Sequence, residues 1–245
     1  MTSYADLLKN TQARVKEQTP QELGLPQPPL ELPVPPDATL IRLPGPGELT
    51  IPEIGLRAAI EQRRSVRQYS QAALSQAELS YLLWLSQGVK EITARPATRR
   101  TVPSAGSRHA FETYLLVNRV EGLEPGLYRF AASQHAIYNV HASPVIHQEI
   151  IHACWDQRQV GQSALTFIWV AVSERMIWRY TDRGFRYLFL DAGHVCQNLC
   201  LAAQAIGCGA CPIGGFRDDL LNAALKLDGE ALFAIYLASV GKLPA

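Results

Sequence analysis

Residues 185–207 read FRYLFLDAGHVCQNLCLAAQAIG, a long helical pattern with apolar side chains on nearly every side. Gly207 ends the pattern, as glycine commonly does just past the last turn of a helix. A helix that is hydrophobic all round must be buried all round. The sequence therefore predicts a central helix, from about Phe185 to Ile206, that packs within the core and partly against a second subunit.

Patterns on both sides of this segment predict a mixed fold. Ser75 and Glu78 form a capping box ahead of a helix that ends at Gly88. The run SALTFIWVAVS at 163–173 is short and rich in branched and aromatic residues, which is typical of a central strand. Further strands are predicted at 111–120 and 231–241, a hairpin within 122–143, loops at 95–100 and 207–216, and a short helix at 218–227. Because strands and helices do not alternate regularly, we expect a three-layered α+β fold with a mostly antiparallel sheet.

Composition limits the class of protein and its partners. The chain is 47% hydrophobic and 18% charged, with a formal net charge of +1, so neither nucleic acid nor an anionic membrane is an expected partner. The N-terminus lacks the basic and apolar regions of a signal peptide, and no run of about 18 apolar residues offers a transmembrane helix. The five cysteines, an odd number, suit a reducing compartment. These features predict a cytoplasmic protein.

Proline divides the chain into two parts. Nine prolines precede residue 50, and their fixed φ and missing amide donors disfavour regular structure there. We therefore expect residues 1–50 to form a proline-rich arm that runs extended across a surface. The remaining residues, 51–245, are long enough to form one core and are predicted to be a single domain.

A cluster of cations follows the short helical pattern that begins at Leu56. Arg63, Arg64 and Arg67 surround Ser65 within five residues. Arginine suits phosphate because its planar fork donates paired hydrogen bonds and its charge survives burial. The alternative is a solvated basic helix end, which the helix dipole favours.

Four separated motifs resemble the flavin-dependent nitroreductase superfamily. They are RRSVRQYS at 63–70, VPSAGSRHAFETYLLV at 102–117, DAGHVCQNLCLAA at 191–203 and GCGACPIGGF at 207–216. A fifth, WRYTDRGFRY at 178–187, resembles the SagB-type dehydrogenases that oxidise azolines in ribosomal peptide maturation. The resemblance covers roughly residue 50 to the C-terminus. It implies a nitroreductase-like fold, an interlocked homodimer, and one FMN at each of two sites on the dimer interface.

The resemblance assigns cofactor-binding roles to three segments and one lysine. It implies that the FMN phosphate and ribityl chain contact Arg63, Arg64, Ser65 and Arg67, that the partner subunit's flavin lies against Pro103, Ser104, Ala105 and Gly106, and that the ring passes Ile213, Gly214 and Gly215. Relatives also keep a cation near the phosphate at the position of Lys242. The 103–106 segment could instead be an ordinary helix-opening turn, and Lys242 a solvated lysine. Many relatives carry Glu at the position of Gly214, so a side-chain contact is absent there.

The resemblance also identifies a candidate catalytic pair, Arg179-Tyr180, where SagB-type azoline oxidases carry Lys-Tyr. Lysine can lose its proton when desolvated, whereas arginine effectively cannot. Tyr180 is then the only proton-transfer candidate of the pair, and Arg179 could bind an anionic substrate group. We expect azoline oxidation to be weakened, or replaced by another dehydrogenation or by quinone or nitro reduction. The alternative is that both residues merely cap and solvate a helix start.

The implied activity is FMN-dependent oxidation or reduction of a small-molecule or peptide substrate. No G-x-G-x-x-G follows a predicted strand, so there is no nicotinamide-binding fingerprint. This is consistent with a ping-pong flavoenzyme, for which NAD(P)H is a candidate reductant. In such enzymes the flavin carries the hydride chemistry.

The cysteines offer a different class of function. Cys208 and Cys211 have the spacing of a redox dithiol or half a zinc site, and Cys196 and Cys200 lie one helical turn apart. A zinc- or thiol-based binding or regulatory protein is therefore the alternative. Small buried thiols beside a loop explain the same residues without metal. His109, within the second motif, either contacts the flavin or substrate or is a surface or capping residue.

Overall fold

The computed structural model describes residues 9, 11–12, 18–141 and 145–244, with the backbone alone at residue 141. Its helices are α1 (Leu56–Gln62), α2 (Gln76–Gln87), α3 (Ile146–Ala153), α4 (Arg158–Gln162), α5 (Ser173–Tyr180), α6 (Arg183–Ala205) and α7 (Asp218–Ala224). Its strands are β1 (Ile41–Arg42), β2 (Val89–Ile92), β3 (Thr98–Arg100), β4 (Phe111–Val117), β5 (Gly126–Ala131), β6 (Ala136–His141), β7 (Leu165–Val172), β8 (Cys208–Ile213) and β9 (Leu232–Lys242). Within these ranges, no helix is both long and apolar enough to cross a bilayer.

Seven strands form one sheet in the order β1-β6-β5-β4-β7-β9-β8, and each neighbouring pair is antiparallel. β2 and β3 form a separate hairpin. The predicted central strand is confirmed, because β7 lies between β4 and β9 and every one of its residues is buried. The expected α+β class and mostly antiparallel sheet are also confirmed.

Helices cover both faces of the sheet, in three layers. Alternate residues of β7 belong to two apolar clusters, because successive side chains of a strand point to opposite faces. Phe167 and Trp169 belong to the cluster formed with α2 and α6. Ile168 and Val170 belong to the cluster formed with α3 and α7. The capping box predicted for α2 is present, with Ser75 Oγ accepting from the Glu78 amide at 3.2 Å.

The helix predicted from the apolar segment is α6, but one side of it stays open. Leu188, Val195 and Leu199 are buried against the sheet and α2. On the other side, Phe189 is 67% exposed and Leu190 is 53% exposed. The predicted central helix is therefore confirmed on the side that faces the sheet and α2, and its packing against a second subunit stays a prediction.

Two predicted loops are wrong. Residues 208–213 form the edge strand β8, paired with β9 from Cys208 to Ile213. Glycine and proline weaken local strand propensity, but an edge strand tolerates proline because its outer side has no partner strand. Residues 95–100 contain β3, which pairs with β2, and Arg100 is buried with its guanidinium donating to Gln87 Oε1 at 3.1 Å.

The described part of the proline-rich arm, residues 18–50, lies along the core. Trp178 Nε1 donates to Leu25 O at 2.9 Å, and Arg175 Nε donates to Pro29 O at 2.8 Å. Farther along, β1 adds an edge strand to the main sheet through β6. Most of residues 1–17 lie outside the described residues. The boundary at residue 50 between an arm and a domain stays a prediction.

Candidate functional site

The segment after α1 is fixed to the edge of the sheet. Ser65 forms a parallel bridge with Ala210 of β8, and the Val66 amide donates to Ala210 O at 2.9 Å. Tyr69 Oη donates back to Val66 O at 2.7 Å. A Cβ atom at Gly209 would lie 2.6 Å from Val66, so the close approach of segment and strand requires glycine. This attachment holds the cation cluster in one place.

The cations of this segment carry no counter-ion. Arg64 and Arg67 are exposed, and Arg63 is half-buried. Arg64 and Val66 also border a groove with Gln204 of α6 and Cys208 of β8, which places the segment between the end of that helix and the sheet edge. Across the described ranges, no acidic side chain forms an ion pair with any of the three. A shallow groove here is lined by Arg64, Ser65, Val66, Arg67, Gln68, Leu243 and Pro244. Three guanidinium groups that are unpaired among the described residues, two of them lining an open groove, are suited to an anion.

Lys242 lies near this groove, but its side chain is already engaged. Its Nζ atom forms an ion pair with Glu78 of α2 and donates to Ile206 O at 3.0 Å, at the C-terminal end of α6. Only its backbone joins the basic segment, where the Ser70 amide donates to Lys242 O at 2.9 Å. We therefore leave Lys242 out of the anion-binding set.

Backbone is accessible just beyond β8. Ile213 is buried at the end of the strand, whereas Gly214 and Gly215 are exposed. A Cβ atom at Gly214 would come no closer than 3.8 Å to Tyr236, and one at Gly215 would meet nothing within 4 Å. A flat ligand can therefore approach the main chain at these two residues without a side chain in between.

The predicted catalytic pair meets the second motif at Gly106. This residue has φ +57°, in a 3-10 turn formed by Ala105–Ser107. A Cβ atom there would lie 2.4 Å from Tyr180 Oη and 2.7 Å from Arg179 Nε. Only glycine allows both the left-handed backbone and this contact. The structure thus brings together two groups of residues that are more than seventy positions apart in the sequence.

Asp191 of α6 forms hydrogen bonds with the backbone of the same turn. Its two carboxylate oxygens each lie 3.3 Å from the Ala105 amide nitrogen, which donates to them. Burial raises the pKa of Asp191, and hydrogen bonds from Ser104 and Ala105 oppose the effect. Pro103 is exposed at the start of the turn. The turn is therefore attached to the first half of α6.

His109 is buried and electrically neutral. Burial, followed by the charges of Arg100 and Arg108, lowers its pKa to about 3. Its amide donates to Ser104 Oγ at 2.9 Å. The surface position considered from the sequence is therefore wrong, and the ring is not an acid near neutral pH.

Several residues that contact this turn were missed by the sequence interpretation. Arg108 donates from Nε to Gly106 O at 3.0 Å and lies over the Trp178 ring, with 5.4 Å from Cζ to the ring centroid. Gln21 of the arm accepts from Arg179 Nη1 at 3.2 Å. Arg108 lies inside the second motif and could have been found there, whereas no local signal marks Gln21.

The two groups of residues stay apart within one chain. The turn around Gly106 is attached at Asp191, whereas Arg64 shares a groove with Gln204. These two positions on α6 are thirteen residues apart, roughly 20 Å along the helix axis. The basic groove and the Tyr180 cluster therefore do not form one compact site in a single subunit.

The cysteines do not form a metal site in the described part of the chain, where no group of three or more potential ligands is close enough to hold an ion. All five thiols are free and buried. The hydrogen bond to Cys200, together with burial, raises the pKa of Cys196 and keeps this thiol protonated. The metal-based alternative function therefore has no support, and the thiols act as small packing residues.

Comparison with known proteins agrees with the fold and the motifs. The nitroreductase family model matches residues 60–242. A Methanocaldococcus jannaschii protein named as a nitroreductase is 36% identical over 177 residues, which cover 72% of this chain and 87% of that protein. The trifolitoxin-processing protein of Rhizobium leguminosarum is 26% identical over 53% of this chain. The match spans only 36% of that longer protein.

Solved structures share the architecture. A nitroreductase-type protein of Ralstonia eutropha has a TM-score of 0.68 at 23% identity, over 90% of this chain and all of that chain. A protein of Desulfovibrio desulfuricans, solved in complex with FMN, has a TM-score of 0.56 at 19% identity, over 79% and 88% of the two chains. With the sheet order, the four motifs and the family match over most of its length, the chain belongs to the nitroreductase family of oxidoreductases.

Proposed function

We propose that this protein is an FMN-dependent oxidoreductase in which Arg63, Arg64, Ser65 and Arg67 bind the FMN phosphate. The observation that carries the proposal is the set of three arginines, unpaired in the described structure, on a segment attached to β8, with Arg64 and Arg67 lining an open groove. Each charge-assisted hydrogen bond to a phosphate oxygen is worth roughly 1.5–3 kcal/mol. Two or three such bonds are enough to hold a phosphorylated cofactor without a covalent link.

The residues also fit the flavin ring. Ile213 ends β8, and the exposed backbone amides of Gly214 and Gly215 are suited to donate at a ring edge, while Gly215 O already accepts from Gln157 Nε2 at 2.7 Å. FMN would supply hydride transfer, while the protein supplies binding, orientation and electrostatics. Because Gly214 leaves room where relatives place a carboxylate side chain, we expect this side of the ring to be open.

We propose that the protein is a homodimer with FMN at its interface. Phe189 and Leu190 leave an apolar surface on α6, and Leu56 and Ile60 of α1 are also exposed. Apolar surface of this extent marks an interface. A dimer also explains the distance between the two groups of residues, because the 103–106 turn of one subunit would then face the FMN bound by the basic groove of the other. Phe189→Glu should give monomers in light scattering, and a wild-type monomer that retains FMN would contradict the proposal.

We propose that Tyr180 transfers the proton when hydride passes between substrate and cofactor. Tyr180 is half-buried at the Gly106 turn, and its ring packs edge-on against Tyr187 at 4.7 Å between centroids. Arg179 keeps its proton and so cannot act as a base. Tyr180→Phe should slow substrate-dependent flavin reduction and leave reoxidation by oxygen unchanged. Tyr81→Phe, remote from this turn, is the matched control.

The substrate class follows from the family resemblance. We propose a SagB-type dehydrogenase that accepts a small molecule or a peptide, with NAD(P)H as the reductant when it works in the reductive direction. Support comes from the Arg179-Tyr180 position and from a relative named for processing trifolitoxin. Rapid azoline oxidation by the wild type would show that the lysine of SagB-type relatives is not needed.

Cofactor analysis of the purified protein tests the proposal as a whole. The protein should show the visible absorption of a bound flavin, and heat release should yield FMN, one per subunit. Anaerobic NADPH or NADH should bleach that absorption, and a quinone or nitroaromatic acceptor should restore it. A colourless protein that takes up no FMN on reconstitution would refute the assignment.

A further inference from the structure

Arg108 is a buried cation whose hydrogen-bonding capacity is only partly used. The residue is 4% exposed. Its Nε atom donates to Gly106 O, and its guanidinium lies over Trp178, but Nη2 is buried and has no hydrogen-bond partner in the described structure. A buried donor without a partner costs free energy, so an unpaired Nη2 suggests a group that is bound only during function.

Arg179 approaches the same glycine from another side. A Cβ atom at Gly106 would lie 2.7 Å from its Nε and 2.8 Å from its Cδ. Arg179 is half-buried, and its guanidinium lies 5.7 Å from the Tyr180 ring centroid. Gln21 accepts from its Nη1 and so restricts its orientation. Two guanidinium groups therefore border one residue, directly beside the candidate proton-transfer group.

The carboxylate of Asp191 reaches the same turn, but it accepts from the Ala105 amide and pairs with neither guanidinium group in the described structure. Arg175 pairs with Glu112 at 2.6 Å, which shows how the fold neutralises a buried arginine elsewhere. Neither Arg108 nor Arg179 forms an ion pair within the described residues. Burial lowers the pKa of Arg108, and the charges of Arg179 and Arg95 lower it further. An anion placed between the two groups would remove both the repulsion and the unpaired donor.

We propose that Arg108 and Arg179 recognise a carboxylate group of the substrate, with Gln21 as a positioning residue for Arg179. A planar carboxylate accepts parallel hydrogen bonds from guanidinium groups, and the two free edges here offer donors to both of its oxygens. The bound carboxylate would orient the substrate so that its reacting atoms lie beside Tyr180. This inference rests on the proposed function, because it assigns a substrate class to the same site.

Benzoate and benzamide are a matched pair of probes, because they share size and shape and differ in charge. Their binding to the FMN-loaded protein can be measured by calorimetry. We expect benzoate to bind at least about tenfold more tightly, the effect of a single charge-assisted hydrogen bond. Arg179→Met should abolish this preference. Arg99→Met, which removes an exposed arginine paired with Glu91, should keep it.

Kinetics with 4-nitrobenzoate and 4-nitrobenzamide distinguish a loss of carboxylate recognition from a structural defect. Gln21→Ala and Arg108→Met should lower kcat/KM for the acid more than for the amide, whereas a merely structural defect would lower both equally. If Arg108→Met does not fold, Arg179→Met gives the same readout from a half-buried position. Equal binding of benzoate and benzamide by the wild type, or an unchanged preference in Arg179→Met, would overturn the inference.

The flavin content of each sample distinguishes this inference from the proposed function. FMN-loaded protein without a benzoate preference refutes the carboxylate site and leaves the flavin assignment intact. If the wild type binds no FMN but prefers benzoate to benzamide, and Arg179→Met loses that preference, the flavin assignment is refuted and the carboxylate site is supported.

Discussion

Replacement of Gly106 by alanine tests the contact that joins the 103–106 turn to the Arg179-Tyr180 pair. The backbone at Gly106 has φ +57°, a left-handed conformation that costs a residue with a side chain roughly 1–2 kcal/mol. The new Cβ atom would also overlap Tyr180 Oη at 2.4 Å and the Arg179 side chain at 2.7 Å. Both neighbours are ends of side chains, which can move, so the fold should persist while the pair is displaced.

Gly207→Ala is the matched control for this substitution. Gly207 has φ +64°, but a Cβ atom there meets nothing within 4 Å, so only the backbone cost applies. Urea denaturation should show a loss of about 1–2 kcal/mol for Gly207→Ala and about 2–3 kcal/mol for Gly106→Ala. Only Gly106→Ala should also lose the preference for benzoate and slow substrate-dependent flavin reduction. Equal stability losses in the two variants, with the benzoate preference intact in Gly106→Ala, would refute the contact.

Three further predictions concern single residues. Lys242→Met should lower thermal stability and leave FMN affinity unchanged, because the Lys242 charge pairs with Glu78. A loss of FMN affinity as large as that of Arg67→Ala would instead show that Lys242 binds the phosphate. Because the folded protein holds the pKa of His109 at about 3, the contribution of this residue to the free energy of unfolding is complete above pH 6.5 and is lost as pH falls. Between pH 7 and pH 4, the free energy of unfolding should therefore fall by about 2–3 kcal/mol more in the wild type than in His109→Asn. Ser75→Ala, which removes the α2 cap, should lower the unfolding free energy by about 1 kcal/mol without changing flavin content.

Local patterns were enough to predict the elements whose side chains repeat at a fixed period. α6, β7 and the cap of α2 follow directly from such patterns. β8 could not be found this way, because glycine and proline weaken its own propensity and its hydrogen bonds come from β9, more than twenty residues later. Which side of α6 stays open could not be predicted either, since an apolar helix pattern does not tell whether a neighbour in the same chain or another subunit covers each side.

The site could be predicted only as far as single motifs reach. The basic segment was found because three arginines around one serine are visible in the sequence. The pairing of Lys242 with Glu78, the burial of His109 and the meeting of Arg108 with Arg179 at Gly106 depend on contacts between distant segments. Gln21 is the extreme case, because its contact with Arg179 joins residues 158 positions apart.

The FMN dissociation constant of the Arg67→Ala variant tests the central assignment most directly. Apo-protein of the wild type, of Arg67→Ala and of Arg57→Ala can be titrated with FMN and followed by flavin fluorescence. Arg57 is an exposed arginine that pairs with Glu61, so it controls for loss of one positive charge. We predict that Arg67→Ala weakens FMN binding by about tenfold or more, the effect of one lost charge-assisted bond, with Arg57→Ala like the wild type. Wild-type affinity in Arg67→Ala would contradict the phosphate site proposed here.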